Sequence, residues 1–190
     1  MIVNFNSRNP RRNLPLALYR KRGESNFIGE FERTFIQQNT RGIGGRQFAM
    51  SGFGIADFVW VNFSDVPTLE NEKDIDPVNF LKNQTLMAFE MKLDDWKRAL
   101  HQAYRYSYFA DHVIVVLPIT KIKTASKNIN IFKDLNIGLW GLDSNEKNIT
   151  QFFTPHEASA KSDNARNKAV DLISRKLNLR MLTEQAQSLF

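Results

Sequence analysis

The segment of residues 84–93 (Gln-Thr-Leu-Met-Ala-Phe-Glu-Met-Lys-Leu) constrains the fold more than any other part of this chain. Apolar residues dominate it and no glycine or proline interrupts it, so it predicts a buried β-strand. Side chains alternate between the two faces of a strand, which puts Glu90 and Lys92 on one face and Phe89 and Met91 on the other. Burying a carboxylate and an ammonium is unfavourable unless the two are paired or have a task. The strand therefore carries either an ion pair or an active site.

Length and composition indicate one soluble globular domain. At 190 residues the chain can bury a full core, and its apolar content of 42% and charged content of 24% are ordinary. It has no cysteine, which excludes disulfides, thiolate metal sites and a cysteine nucleophile. No apolar run approaches the roughly 18–20 residues of a membrane span, and the first ten residues lack the apolar core of a secretory signal. We therefore expect a cytoplasmic protein that does not enter a membrane.

The basic residues are concentrated near the N-terminus. The formal net charge is +6, and the first 50 residues hold nine Arg or Lys against three Glu. Residues 1–23 are polar and interrupted by Pro10 and Pro15, which predicts a basic arm with little structure of its own, followed by a domain over 24–190. The cations proposed here to meet a polyanion are Arg11, Arg12, Arg20, Lys21 and Arg22. The alternative is that this charge serves solubility alone.

A helix is predicted over residues 24–38. Four apolar residues recur at helical spacing: Phe27, Ile28, Phe31 and Phe35. At about 100° per residue, Glu24 falls within the apolar stripe, Glu32 on its margin and Glu30 on the far side. Glu24 is thus the carboxylate expected to point inward. Equally, Glu24 could merely complement the helix dipole in the first turn.

Two strands and an insertion precede the central segment. Residues 40–45 predict a glycine-rich turn, and residues 46–50 and 54–63 predict a hairpin. Asp57 interrupts an apolar run in the second strand, so it needs a partner, for which a cation or a metal would serve. Residues 64–83 are polar and acidic and predict an inserted surface loop with about one helical turn.

Strands and helices alternate in the second half. Asp94 or Asp95 can cap a helix that runs to about residue 110, with Gln102 beside its inward stripe. Residues 112–118 predict an interior strand, and the strand–helix–strand order implies a right-handed parallel crossover. Further elements are predicted as a short helix near 131–135, strands over 137–143 and 149–153, a helix over 162–177 and a short amphipathic helix in 181–190. We predict an α/β domain with a central mixed sheet of about five strands flanked by helices.

Some aromatic and histidine residues admit two interpretations. Tyr104, Tyr106, Tyr108 and Phe109 could stack on unpaired bases, although core packing and surface patches are the commoner fate of rings at this spacing. The histidines His101, His112 and His156 are scattered, with no second ligand at a zinc-like spacing. We therefore expect neither a zinc site nor a Ser-His-Asp triad.

The polar residues form an ordered set. Asp57 is followed by Glu90-x-Lys92 and then by Gln102 and Tyr106, a pattern D-x(32)-E-x-K with Q-x3-Y behind it. This order, over residues 24–143, resembles the PD-(D/E)xK nuclease superfamily, which includes restriction endonucleases and Holliday junction resolvases. The pattern departs from the family at Ala56, where a proline is usual, and in the long insertion over 64–83.

The resemblance implies a restriction endonuclease-like fold and a Mg²⁺- or Mn²⁺-dependent nuclease that hydrolyses DNA phosphodiester bonds. Asp57, Glu90 and the Met91 carbonyl would hold the metal, and Lys92 would position a water or steady the phosphate. The family's helix glutamate maps to Glu24, and Gln102 would orient Lys92 or contact the phosphate.

The implied partner is nucleic acid, most plausibly DNA. Its backbone would be held by the basic arm, by the cationic C-terminal helix and by Arg98 and Arg105 on the helix that carries Gln102. A homodimer would bring two active sites to two strands. The alternative is an inert buried network of Asp57, Glu90 and Lys92, in a non-catalytic nucleic-acid-binding or assembly module that keeps the fold.

Overall fold

The chain folds into one open mixed β-sheet with helices on both faces, so the predicted α/β class is confirmed. The computed structural model describes residues 2–4, 22–64, 76–156 and 159–175. Within these ranges the strands lie in chain order across the sheet. They are β1 (Ile2–Asn4), β2 (Gly42–Met50), β3 (Gly54–Asn62), β4 (Thr85–Met91), β5 (His112–Pro118), β6 (Gly138–Asp143) and β7 (Asn148–Phe153). Strands β2–β3–β4 and β6–β7 pair antiparallel, whereas β1–β2, β4–β5 and β5–β6 pair parallel.

The helices cover the sheet unequally. They are α1 (Arg22–Gln38), α2 (Pro77–Lys82), α3 (Trp96–Tyr106), α4 (Ile122–Ser126) after a 3-10 turn at Ile119–Lys121, α5 (Ile129–Asp134) and α6 (Asp163–Ser174). Helix α1 packs on one face through an aromatic cluster, in which the Phe35 ring lies 5.1 Å from Phe89 and 6.0 Å from Phe58. Helix α3 packs on the other face through Ala99 and Ala103, both fully buried. No helix within the described ranges has the length and apolar content to cross a membrane.

The glycine-rich segment is a strand, so the turn predicted over residues 40–45 is wrong. Residues 42–45 belong to β2 and pair with Asn62 through Val59 of β3. A Cβ on Gly44 would lie 2.5 Å from the Phe58 ring, and one on Gly42 would lie 2.5 Å from the Trp60 ring. Glycine is needed here because the large rings of β3 cross directly over the β2 backbone. The turn residues instead lie at 51–53, as the hairpin prediction required.

The sheet has more strands than the predicted five, and one of them lies in the basic arm. Ile2–Asn4 pair in parallel with residues 44–46 of β2 and form the edge strand β1. The cations predicted at Arg11, Arg12, Arg20 and Lys21 lie outside the described residues, and Arg22 begins α1. Residues 65–75 and the predicted C-terminal helix over 181–190 also lie outside the described residues.

The region around the central strand agrees with the sequence analysis. Helix α2 supplies the helical turn of the inserted segment, with Asp76 accepting a hydrogen bond from the Val78 N–H at 2.9 Å. Strands β4 and β5 are parallel and joined through α3, as the strand–helix–strand order predicted. Helix α3 ends at Tyr106, one turn earlier than expected. Because β4 leads directly into α3, the helix runs back along the strand, and the end of β4 and the start of α3 meet at one edge of the sheet.

Candidate active site

The site lies where β3 and β4 diverge. Their pairing runs from Asn62–Thr85 to Phe58–Phe89, and Asp57 and Glu90 come next on the two strands. There the Asp57 side chain accepts a hydrogen bond from the Met91 N–H, with 2.9 Å between Oδ2 and N. Asp57 is 2% exposed and Glu90 is 1% exposed. The two carboxylates are therefore buried side by side at the end of an otherwise apolar strand pair.

The backbone on the other side of Asp57 is also irregular. Strand β2 pairs Arg46 with Phe58 and Phe48 with Ala56, and between these pairs Gln47 adopts a left-handed conformation with φ of 53°. Such a conformation is uncommon for residues other than glycine. The sheet is thus distorted on both flanks of Asp57, as often happens where a strand presents a functional side chain.

Lys92 faces the same side of the sheet as Glu90, as the strand alternation predicted. Its Nζ lies 2.7 Å from Glu90 Oε1 and 3.3 Å from the Met91 carbonyl oxygen. The side chain is 15% exposed, whereas that of Glu90 is 1% exposed. The ammonium therefore lies at the opening of the site, between the buried carboxylates and solvent.

Tyr106 of α3 closes the site from behind. Its hydroxyl lies 2.7 Å from Glu90 Oε2 and 2.7 Å from the Ile55 carbonyl oxygen. A phenol has a single proton, so it donates to one of these oxygens at a time. The sequence predicts core packing or base stacking for Tyr106 and does not reveal its contact with Glu90. The signal was its position four residues after Gln102, within the motif itself.

The electrostatics of the pair favour a cation. The pKa of Glu90 is raised to about 7: burial raises it most and the charge of Asp57 raises it too, while Lys92 and Tyr106 act in the opposite direction. Burial and the Glu90 charge also raise the pKa of the Tyr106 phenol well above its usual value. One ammonium does not fully offset two buried carboxylates, because Glu90 still holds its proton up to neutral pH.

The Gln102 side chain lies near the site, but its oxygen makes no hydrogen bond with the site residues. It is one helical turn, about 5.4 Å, before Tyr106 on the same side of α3, towards the end of β4 that carries Lys92. Its Oε1 is buried and has no hydrogen-bond partner among the described residues. The expected contact of this oxygen with Lys92 is therefore not formed, and a donor brought by a ligand or by water would satisfy it.

The most buried carboxylate of α1 is Glu32, and not Glu24 as expected. Glu32 is fully buried and ion-paired with Arg46 of β2, whose Nη2 lies 2.9 Å from Glu32 Oε1. The Arg46 side chain is half-exposed and extends to Glu32, where it supplies the counter-charge. No local pattern in the sequence reveals this pairing, because the two residues belong to different elements. Glu24 is half-buried at the start of α1. A Cβ on its neighbour Gly23 would lie 3.3 Å from Leu93, the residue after Lys92, so the start of α1 lies beside this edge of the site.

The cations and aromatic residues of α3 and of the turn after it are partly buried in the core and partly exposed to solvent. Arg98 and Arg105 are exposed, and the Arg105 guanidinium lies beside Gly54, at the start of the strand that carries Asp57. Tyr106 and Phe109 are fully buried, whereas Tyr104 and Tyr108 are 36% and 37% exposed. Both of the commoner fates expected for these rings occur, since two of the four pack in the core and the other two lie at the surface.

The donor set fits a hard divalent cation. Asp57 and Glu90 supply carboxylate oxygens, and the Met91 carbonyl oxygen is turned towards the same Lys92 ammonium. Mg²⁺ commonly takes one or two carboxylates and keeps several waters. Within the described residues no three His, Cys, Asp or Glu side chains converge, so the third protein oxygen would have to come from the backbone.

Comparisons with protein-family models, with curated proteins and with solved structures found no match to this chain. The interpretation of the site therefore depends on its own geometry and chemistry.

Proposed function

We propose that this chain is a Mg²⁺- or Mn²⁺-dependent nuclease that hydrolyses DNA phosphodiester bonds, on a restriction endonuclease-like fold. The observation that carries the proposal is the meeting of Asp57, Glu90 and Lys92 at the point where β3 and β4 diverge. Two buried carboxylates, of which Glu90 has a raised pKa, and a lysine at the opening match the chemistry of metal-assisted hydrolysis.

Each residue has a task that follows from its place. Asp57, Glu90 and the Met91 carbonyl would hold the metal, which when bound supplies positive charge to the phosphate and lowers the pKa of an attached water. Lys92 is close enough to Glu90 to be held and exposed enough to donate to a phosphate oxygen or to the attacking water. The unsatisfied Gln102 oxygen would orient Lys92 or a water beside the phosphate. Glu24 would act from the edge of the site at the start of α1.

A second function is favoured by one specific observation. The Glu90 side chain is hydrogen-bonded to Lys92 and Tyr106 at the same time, so it is satisfied without a metal. A chain that keeps this network and has lost the reaction would be a nucleic-acid-binding or assembly module. The two functions differ in whether metal binding displaces this network and leads to cleavage.

Cleavage of DNA tests the proposal. The full chain is incubated with linear, nicked, branched and single-stranded DNA in Mg²⁺ or Mn²⁺, beside Asp57→Asn and Lys92→Met. We expect metal-dependent cleavage that falls by about 10²-fold or more in both variants, since each removes a charge from the reacting centre. Asp171→Asn, at a half-exposed position, and Lys123→Met, at an exposed one, change the same charges and should cleave normally.

Metal binding is measured separately, so that an inactive protein is still informative. Mn²⁺ should raise the melting temperature of the wild-type chain and of Lys92→Met, but not that of Asp57→Asn, because ligand binding to the folded state stabilises it. Stabilisation by metal without cleavage of any DNA would favour the non-catalytic module. If the metal neither stabilises the chain nor supports cleavage of any DNA, the proposed function is overturned.

A further inference from the structure

Three aromatic rings form an exposed patch beside the site. Tyr108 stacks on Phe53 with ring centroids 5.6 Å apart, and Tyr104 meets Tyr108 edge-on at 6.3 Å. Tyr104 is 36% exposed, Tyr108 is 37% exposed and Phe53 is partly buried. Tyr104 lies in the last turn of α3, and Tyr108 lies in the turn that follows the helix. Tyr104 and Tyr108 are therefore in part open to solvent.

A lysine is fixed over the same rings. Lys161 Nζ lies 4.0 Å from the centre of the Tyr104 ring and 5.9 Å from that of Tyr108. Its backbone is held to the end of α3, because the Lys161 N–H donates to the Ser107 carbonyl and the Ser162 N–H donates to the Tyr108 carbonyl, at 2.8 and 3.2 Å. In such an arrangement the ammonium can bind a phosphate of a nucleotide, and the neighbouring rings can stack on the base of that nucleotide.

The patch is continuous with the site along two elements. Tyr106, between the two exposed tyrosines, turns inward to Glu90. Phe53 immediately precedes β3, and Asp57 follows it by four residues, which is about 13 Å along a strand. A stacked strand advances about 3.4 Å per nucleotide, so the patch lies roughly four nucleotides from the carboxylates.

The charge on this face complements a polyanion. Helix α3 contains no Asp or Glu, and its exposed residues include Lys97, Arg98 and Arg105. Arg105 lies beside Gly54, between the rings and the site. The nearest acidic residue in sequence to Lys161 is Asp163, which is exposed at the start of α6.

We propose that Phe53, Tyr104, Tyr108 and Lys161 form a platform that stacks unpaired bases, so that the substrate carries a single-stranded end or flap. The inference rests on the proposed function for its link to cleavage. Duplex DNA would present only its backbone to this surface, since its bases are already stacked on each other. A single strand can present its bases to the rings and its phosphates to Lys161 and Arg105.

Binding is tested first, in chelator, so that cleavage does not enter. Anisotropy of labelled 15-nucleotide strands compares oligo-dT with an abasic strand of the same length and charge, for the wild-type chain, Tyr104→Leu/Tyr108→Leu and Phe152→Leu. Phe152 is the matched control, because it is 40% exposed on β7, outside the platform. We expect the wild-type chain to prefer oligo-dT by about tenfold or more. The double variant should lose this preference while keeping its affinity for the abasic strand, and Phe152→Leu should behave as wild type.

Equal affinity of the wild-type chain for the two strands, or an unchanged preference in the double variant, would overturn the platform. A partner protein or a second copy on these rings would give the first of these outcomes. Leucine keeps an apolar side chain beside Phe53, so the variants should remain folded, which thermal unfolding checks.

Cleavage then separates this inference from the proposed function. With Mg²⁺, duplexes with a single-stranded overhang are compared with blunt duplexes of the same sequence. The double variant should lose the wild-type preference for overhangs but cleave blunt ends at the wild-type rate. If the wild-type chain cleaves neither substrate, the proposed function fails, and the binding result in chelator still decides whether the platform stacks bases.

Discussion

The protonation of Glu90 affects the stability of this fold. Burial and the neighbouring Asp57 raise its pKa to about 7, whereas an ordinary glutamate has a value of 4.5. A carboxyl whose pKa is higher in the folded state binds its proton more tightly there, so the stability gained is complete below about pH 4.5. It is lost as the pH rises through 7. The same burial that prepares the site for a cation therefore destabilises the metal-free protein at alkaline pH.

Glu90→Gln should remove this pH dependence. In chelator, we expect the variant to gain stability relative to the wild-type chain between pH 5 and pH 8, by roughly 3 kcal/mol at most, because glutamine has no proton to lose. Urea unfolding at pH 5, 6, 7 and 8 measures the difference in the free energy of unfolding. Glu146→Gln, at an exposed position, should follow the wild-type profile. Parallel profiles for Glu90→Gln and the wild-type chain would contradict the raised pKa.

Tyr106→Phe isolates the hydroxyl that holds Glu90. The ring stays in the core, but Glu90 Oε2 and the Ile55 carbonyl lose their shared donor. We expect a loss of about 1–3 kcal/mol in the free energy of unfolding, since buried acceptors are left unsatisfied. Cleavage should fall while affinity for oligo-dT in chelator is unchanged. Tyr108→Phe removes an exposed hydroxyl and should preserve both stability and cleavage; an equal effect of the two changes would contradict a positioning role for Tyr106.

At the scale of elements, the start of α3 connects the site to the helix that carries Gln102 and Tyr106. The sequence allowed either Asp94 or Asp95 as the cap, and the structure selects Asp95, whose Oδ1 accepts from the Arg98 N–H at 3.0 Å. Asp95→Ala should therefore lower the free energy of unfolding by about 1 kcal/mol. Asp94→Ala removes the same charge from the same exposed loop but leaves the Asp95 cap in place. Thermal or urea unfolding of the two variants, if equal, would show that charge alone mattered.

The elements that could be predicted are those whose pattern is local. Strands β4 and β5 and helices α1, α3 and α6 follow from apolar periodicity within one segment. The start of β2 could not be predicted, because glycine usually marks a turn, and here its role depends on the Phe58 and Trp60 rings of another strand. Strand β1 could not be predicted for the same reason, since its three residues form a strand only by pairing with the edge of β2.

The candidate site divides in the same way. Asp57, Glu90 and Lys92 could be identified because each is a polar residue in an apolar strand, which is an anomaly visible in the sequence. Glu32 and Tyr106 could not be assigned their partners, because the contacts with Arg46 and Glu90 join residues of separate elements. Sequence patterns thus identified the residues under unusual constraint, and only the packing of α1 and α3 on the sheet assigned their contacts.

For the whole molecule, the distribution of charge decides how a polyanion is held. The formal net charge of +6 would attract DNA to any part of the surface, and the attraction would weaken with salt. The proposed function requires more than this. It requires that cations near the site, Arg98 and Arg105 on α3, contact the phosphates. Each phosphate neutralised adds about 0.9 to the slope of log K against log salt for duplex DNA.

The slope distinguishes a local contact from a general attraction. Arg98→Gln/Arg105→Gln should lower the salt slope of duplex binding by about 2, close to one unit for each residue. Arg33→Gln/Arg41→Gln makes the same change in net charge at exposed positions, with Arg33 on α1 across the sheet from α3. Affinities are measured in chelator between about 50 and 200 mM salt, a range over which phosphate contacts change the affinity by orders of magnitude. A similar decrease of the slope in both double variants would mean that net charge alone binds DNA, and α3 would then not be the surface that delivers the phosphate to Asp57, Glu90 and Lys92.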